Sequence, residues 1–198
     1  MPAGAPPLQV LRAAQRQAVP WKNGGGLTRE VAISPTGATP REFDWRVSIA
    51  EIAAAGPFSV FAGIDRRMAV LKGRLSLKID AQPAVTVSPD SAPVAFPGEA
   101  PVFATPLGAT VTDLNVMTRR GWCTADLTRH AAGVVLEPRN GTTLLIARSV
   151  LKISAAGRGA ELAFLDALVL GSEPVSVLAG GASPVSFDLV AIRGPGGE

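Results

Sequence analysis

Hydrophobic and polar residues alternate over short stretches along most of this 198-residue chain. "FDWRVSIAEI" sets the pattern. Phe43, Trp45, Val47 and Ile49 point one way, and Asp44, Arg46, Ser48 and Ala50 the other. "FSVFAGIDRRMAVLKGRLSLKID" reads as strand, turn and hairpin, with Lys72-Gly73 at a tight connection. "AVTVSPD", "PVAFPGE", "PVFATPLG" and "ATVTDLNVMTRR" continue as short strands cut by Pro and Gly. "GVVLEP", "TTLLIARSVLKISA", "AELAFLDALVLG", "EPVSVLAGG" and "PVSFDLVAI" resume the pattern later. Between the two series, "GWCTADLTRHAA" predicts a short helix. "LAFLDALVL" fits a buried helix segment nearly as well as a strand, and "LQVLRAAQ" fits a short strand or a helical turn. Many short strands without long helices between them predict a sandwich or barrel and argue against a doubly wound fold. The turn rhythm runs twice, which divides the chain into a first barrel over 8–121 and a smaller second one over 122–193. Residues 194–198 are expected to fray.

Composition narrows the function classes. With 47% hydrophobic and 18% charged residues, this is a packed globular chain. Its net charge of +3 comes from dispersed basic residues, with no Tyr and three Trp. That is not the basic stripe with stacking aromatics that nucleic-acid binders carry. Cys123 is the only cysteine, so no intrachain disulfide forms, and a reducing cytoplasm suits the chain. The N-terminus lacks the charged and apolar regions of a signal peptide. The longest apolar run contains Asp166 and is too short to span a membrane. A soluble, cytoplasmic protein is expected.

Few residues offer chemistry. In "WKNGGGLTRE" the lysine precedes the glycines, which excludes a P-loop, and Arg29 stands where a dinucleotide fingerprint needs its third glycine. Two readings of the glycines stay open: an anion nest of backbone N–H groups, or a kinked segment passed closely by another strand. Spacing favours the second. His130 is the only histidine, and one His with one Cys makes no zinc site, so no metal or cofactor is expected. No G-x-S-x-G elbow is present, and a Cys or Ser nucleophile would have to use His130. Paired carboxylates among Asp44, Asp65 and Asp113 stay open.

Polar residues on strand faces carry most of the information. Arg46 and Ser48 share one face; Asp113, Asn115 and Met117 share another, opposite Leu114 and Val116; Asp65, Arg66 and Arg67 open a strand. In a barrel such a face lines the lumen, where the planar fork of arginine suits a small carboxylate. On the outside of a sandwich the same side chains would be solvated and contribute little.

"WKNGGGLTREVA", "FDWRVSIAEI", "GPFSVFAGIDRRMAVLKG", "FPGE" and "DLNVMTRRG" occur in this order between Trp21 and Gly121. The ordered set resembles the HutD/Ves family of bacterial proteins. The resemblance implies an all-β, double-barrel bicupin with little helix. It implies a non-enzymatic protein that binds a small carboxylate metabolite and limits histidine utilisation, with formylglutamate as a pathway acid of the right kind. Ves-like members are linked instead to stress response. Motif position implies a ligand site of Lys22, Asn23, Gly24, Gly25, Arg46, Ser48, Asp65, Arg67 and Asn115. Arg46 and Arg67 would hold the carboxylate, while Asn23, Ser48 and Asn115 supply neutral hydrogen bonds. The rival reading is a metal-independent isomerase or hydrolase using Asp65 or Asp113. No nucleic acid or membrane partner is expected, and a homodimer through sheet faces or edges fits such a fold.

Overall fold

Strands this short cannot bury an apolar face alone, so they pair into sheets and the sheets stack. A computed structural model of the chain describes residues 8–39, 41–180 and 186–194. In chain order its strands are β1 (Gln9–Leu11), β2 (Ala18–Pro20), β3 (Gly26–Ser34), β4 (Trp45–Ile52), β5 (Gly56–Pro57), β6 (Ile64–Lys72) and β7 (Leu75–Ile79). There follow β8 (Val85–Val87), β9 (Val94–Pro97), β10 (Val102–Pro106), β11 (Val111–Arg119), β12 (Thr124–Ala131) and β13 (Val134–Leu136). The last are β14 (Thr142–Ala147), β15 (Leu151–Ala155), β16 (Arg158–Leu162), β17 (Ala167–Val169), β18 (Val175–Ala179) and β19 (Ser186–Arg193). The one helical element among the described residues is a 3-10 turn at Ala13–Gln15. No helix among the described residues is long and apolar enough to cross a membrane.

The first unit comprises residues 16–127. Its six-stranded sheet runs β2-β3-β4-β11-β6-β9, and its four-stranded sheet β5-β10-β7-β8. Ile52, Met68, Val70, Phe96 and Val111 of the first sheet pack against Leu75, Leu77, Val87, Val102 and Ala104 of the second. Gly73, at φ 86°, turns β6 into β7 as the Lys72-Gly73 signal predicts. The second unit takes the N-terminal residues to Gln15 and everything from Thr128. Its sheets run β1-β17-β14-β19-β12 and β13-β18-β15-β16. Leu145, Leu151, Leu162, Leu168, Phe187 and Leu189 form its core.

Two expectations change. The division falls after Leu127, not Gly121, and the segment from residue 8 belongs to the second unit because β1 pairs with β17. Each unit is a pair of stacked sheets without hydrogen-bonded closure among the described residues, in keeping with the expected all-β, jelly-roll-like double architecture. "TADLTRHA" is strand β12, not a helix. There Ala125 and Leu127 are buried at alternate positions while Thr124 and Thr128 are exposed, a period of two that tertiary pairing enforces. "LQVLRAAQ" supplies both of its readings in turn, strand β1 and then the 3-10 turn. "LAFLDALVL" holds the end of β16, a turn and β17. The expected fraying over 194–198 falls almost wholly on residues 195–198, outside the described residues.

Candidate ligand site

Register decides which polar side chains meet. Across the six-stranded sheet Arg46 pairs with Met117, and Met117 with Arg66. One step along, Glu30 pairs with Ser48, Ser48 with Asn115, and Asn115 with Met68. The next row is Thr28, Ala50, Asp113 and Val70. Met68, Val70 and Phe96 on this face belong to the packed interior, so the face points inward. Direct cross-strand neighbours lie about 4.5–5.5 Å apart at Cβ, so the polar residues of adjoining rows form a ladder, interrupted by Met117, Ala50, Met68 and Val70, inside the sandwich.

Arg66 is the centre of that ladder. It is only 6% exposed. Its Nη2 donates to Asn115 Oδ1 at 2.8 Å, and Asn115 Nδ2 donates to Asp113 Oδ2 at 2.7 Å. Its guanidinium lies 5.2, 5.7 and 5.0 Å from the ring centroids of Phe58, Phe61 and Phe96. Such faces attract a cation and keep water away from it. Burial lowers the Arg66 pKa to about 10; Asp113 opposes that fall and Arg46 adds to it. Burial pushes the Asp113 carboxyl up to about 6, although Asn115 and Arg66 pull it back. Its own amide and that of Ala50 also hold the value down, yet no aligned hydrogen bond reaches Oδ1. Arg66 Nε and Asp113 Oδ1 are both buried without a hydrogen-bond partner. Buried polar atoms left unpaired are uncommon and call for a reason. Nearer solvent, Arg46 Nε donates to Glu30 Oε2 at 3.0 Å, with the Glu30 side chain 41% exposed.

The expected site residues separate into three groups. Arg46, Ser48 and Asn115 share the inner ladder. Asp65 and Arg67 do not; they alternate onto the opposite face of β6. Arg67 lies 3.8 Å from Asp126, and Asp65 accepts from Arg120 Nε at 2.8 Å. Both line a cavity of about 320 Å³ with Pro97, Thr118 and Thr124, and Arg66 and Phe96 also contribute to its lining. Arg66 therefore stands where the sequence reading put Arg67. The alternation held a signal for this: Ile64, Met68 and Val70, the heavier apolar set, share the parity of Arg66.

Lys22, Asn23, Gly24 and Gly25 form the turn between β2 and β3. Gly24 N donates to Trp21 O, Gly25 N to Asn23 Oδ1, and the amides of Ala53 and Ala54 to Gly25 O. Lys22 is exposed. The close neighbour that the glycine run makes room for is another strand: a Cβ at Gly26 would overlap the carbonyl oxygen of Glu51 on β4. Gly26→Ala is therefore expected to cost about 1–3 kcal/mol in chemical denaturation, since that backbone cannot withdraw without breaking the ladder. Lys22→Ala is expected to stay within about 0.5 kcal/mol.

Other motif residues are structural. Arg120 joins Asp65 to Glu99 with Nη1 2.6 Å from Glu99 Oε1, and that hydrogen bond holds the Glu99 carboxyl down at about 2. The "FPGE" and "TRRG" motifs thus meet in an ion-pair clamp. Cys123 is buried, which raises its thiol pKa and makes it a poor nucleophile. His130 stacks on Phe187 with ring centroids 5.4 Å apart. No group of three metal-ligating side chains occurs among the described residues.

The HutD family model matches residues 13–185. An uncharacterized 21.2 kDa protein of the hutC 3' region of Pseudomonas putida is 38% identical over 166 residues, 82% of this chain and 86% of that protein. Protein Ves of Citrobacter koseri is 39% identical over 106 residues, 53% of this chain and 54% of its own. Among solved structures, HutD from Pseudomonas fluorescens SBW25 superposes with a TM-score of 0.81 at 26% identity, covering 96% of this chain and all of that one. A cupin 2 conserved barrel domain protein from Leptotrichia buccalis shares the fold at a TM-score of 0.58 and 10% identity, over 92% of this chain and 100% of its own. The paired sandwiches are thus of cupin type, and over nearly its whole length the chain belongs to the HutD family.

Proposed function

We propose that the inner ladder of the first unit binds a small carboxylate metabolite without transforming it. On this reading the protein senses or limits histidine utilisation through a pathway acid such as formylglutamate. The carrying observation is a pair of guanidinium groups, Arg46 and Arg66, on one largely buried face with Ser48 and Asn115. Glu30 engages Arg46 through Nε, so the terminal nitrogens form the edge offered to a carboxylate. Ser48 lies one row deeper on the same strand and supplies a neutral hydrogen bond. Two relatives lend support: the Pseudomonas putida protein lies in a hutC 3' region, and the Pseudomonas fluorescens HutD structure comes from a formate condition.

A thermal-shift screen against histidine, urocanate, formiminoglutamate, formylglutamate, glutamate and formate tests this. A ligand at a hundred times its Kd adds about 2.7 kcal/mol of stability. Arg46→Ala is expected to weaken binding ten- to a hundredfold, because one charged hydrogen bond contributes about 1.5–3 kcal/mol. Unchanged affinity in that variant would remove Arg46 from the site, and no shift with any acid would end the carboxylate reading.

Asp113 favours a second reading. A buried carboxyl whose pKa lies near 6 is suited to acid–base chemistry. Turnover of a bound acid that Asp113→Asn abolishes, with binding retained, would establish the enzyme instead.

A further inference from the structure

Five charged strand residues have the inward register of the first unit: Arg46, Arg66, Glu30, Asp113 and, half-exposed at the end of β11, Arg119. Arg119 is offset by Asp44, 3.6 Å away, and the charges of the other four sum to zero. The opposing sheet adds none, since Leu75, Leu77, Val87, Val102 and Ala104 face them. One carboxylate brought among these groups leaves a net negative charge against the apolar side chains of the opposing sheet. Uncompensated buried charge is strongly disfavoured, and proteins relieve it by moving a proton.

Asp113 is built to receive that proton. It is 0% exposed. Asn115 Nδ2 already occupies Oδ2, so the proton belongs on Oδ1, the oxygen without a partner. There it turns an unpaired acceptor into a donor that a ligand oxygen can satisfy. Glu30 is the other carboxylate of the set, but its 41% exposure lets water stabilise its charge. We propose that the first unit takes up one proton with each small carboxylate ligand it binds through one carboxylate group, and that Oδ1 of Asp113 receives it.

This rests on the carboxylate reading above and adds its regulation by pH. The groups facing Asp113 are Arg66 on β6, Arg46 on β4 and Glu30 on β3; β9 presents Val94 and Phe96. Burial already holds the Asp113 carboxyl near 6, so a ligand anion has only to raise it further. The balance is one ligand carboxylate plus one solvent proton plus ionised Asp113, giving a bound carboxylate beside neutral Asp113. Linkage then sets the sign. Below about pH 6 the proton is already present and affinity is flat. Above it affinity falls by up to tenfold per pH unit, until the pKa of the complex is passed.

Isothermal titration of formylglutamate into the wild-type protein, from pH 6 to 8 in two buffers of different ionisation enthalpy, counts the protons. Uptake approaching one proton at pH 7.5, with Kd rising about tenfold from pH 7 to 8, is expected. Asp113→Asn should bind without proton uptake and with a flat pH profile. The wild-type proton count decides the matter even if that variant folds poorly. Binding with flat affinity and no uptake overturns the proton proposal and leaves the carboxylate site standing. No binding at any pH overturns both.

Discussion

Arg66→Met is expected to destabilise the protein by about 3–5 kcal/mol at pH 8, the cost of leaving a buried charge without its partner. Methionine roughly fills the volume among Phe58, Phe61 and Phe96 but carries no charge. Asp113 would then be buried and ionised without its cation, and Asn115 Oδ1 would lose its donor. The loss has a signed pH dependence. In the wild type the folded-state pKa of Asp113 is raised to about 6. Below the ordinary carboxyl value both folded and unfolded states bind the proton. Between about pH 4 and 6 the unfolded chain ionises first, so this group's contribution to stability falls as pH rises, by up to about 1.4 kcal/mol per unit. Removing Arg66 raises the folded pKa further and extends the fall above pH 6. The variant's deficit should therefore grow from pH 5 to pH 8 in urea denaturation. A deficit equal at both values would show that Arg66 stabilises by packing on the rings alone.

Phe187→Ala is expected to cost about 3–5 kcal/mol through the second unit. Phe187 is 0% exposed, packs among Leu145, Leu151 and Leu168, and stacks on His130. Its removal leaves a cavity that the rigid cross-strand neighbours cannot close. Phe164→Ala, at a side chain 39% exposed in the turn before β17, is expected to cost well under half as much. Equal costs at the two positions would mean that the second unit's core is not where the structure places it.

The inner ladder was half legible in the sequence. Alternation alone puts Arg46 with Ser48, and Asp113 with Asn115, because side chains in a strand must alternate. It leaned toward Arg66 over Arg67, through Ile64, Met68 and Val70 on the same parity, without deciding between them. Adjacent arginines lie on opposite faces, and either parity gives an acceptable strand. The packed interior settles it, since Met68, Val70 and Phe96 are buried on the Arg66 side. The glycine run shows the reverse case. Its backbone freedom is evident from composition, but its purpose depends on a carbonyl of β4, at Glu51, far away in sequence. The helix expected at "GWCTADLTRHAA" failed because a short apolar pattern is ambiguous, and pairing into a sheet overrides weak local preference.

By itself the sequence determined an all-β chain of two successive strand sets, its family, and which polar residues share a strand face. These follow from local rules: a period of two, turn residues between strands, and an ordered set of motifs. Only the tertiary structure decided that β1 joins the second unit, that Arg66 and not Arg67 faces Asp113, and that Asp113 is fully buried. Those depend on which strands pair and in what register. Such contacts join residues tens of positions apart, and no local pattern specifies them.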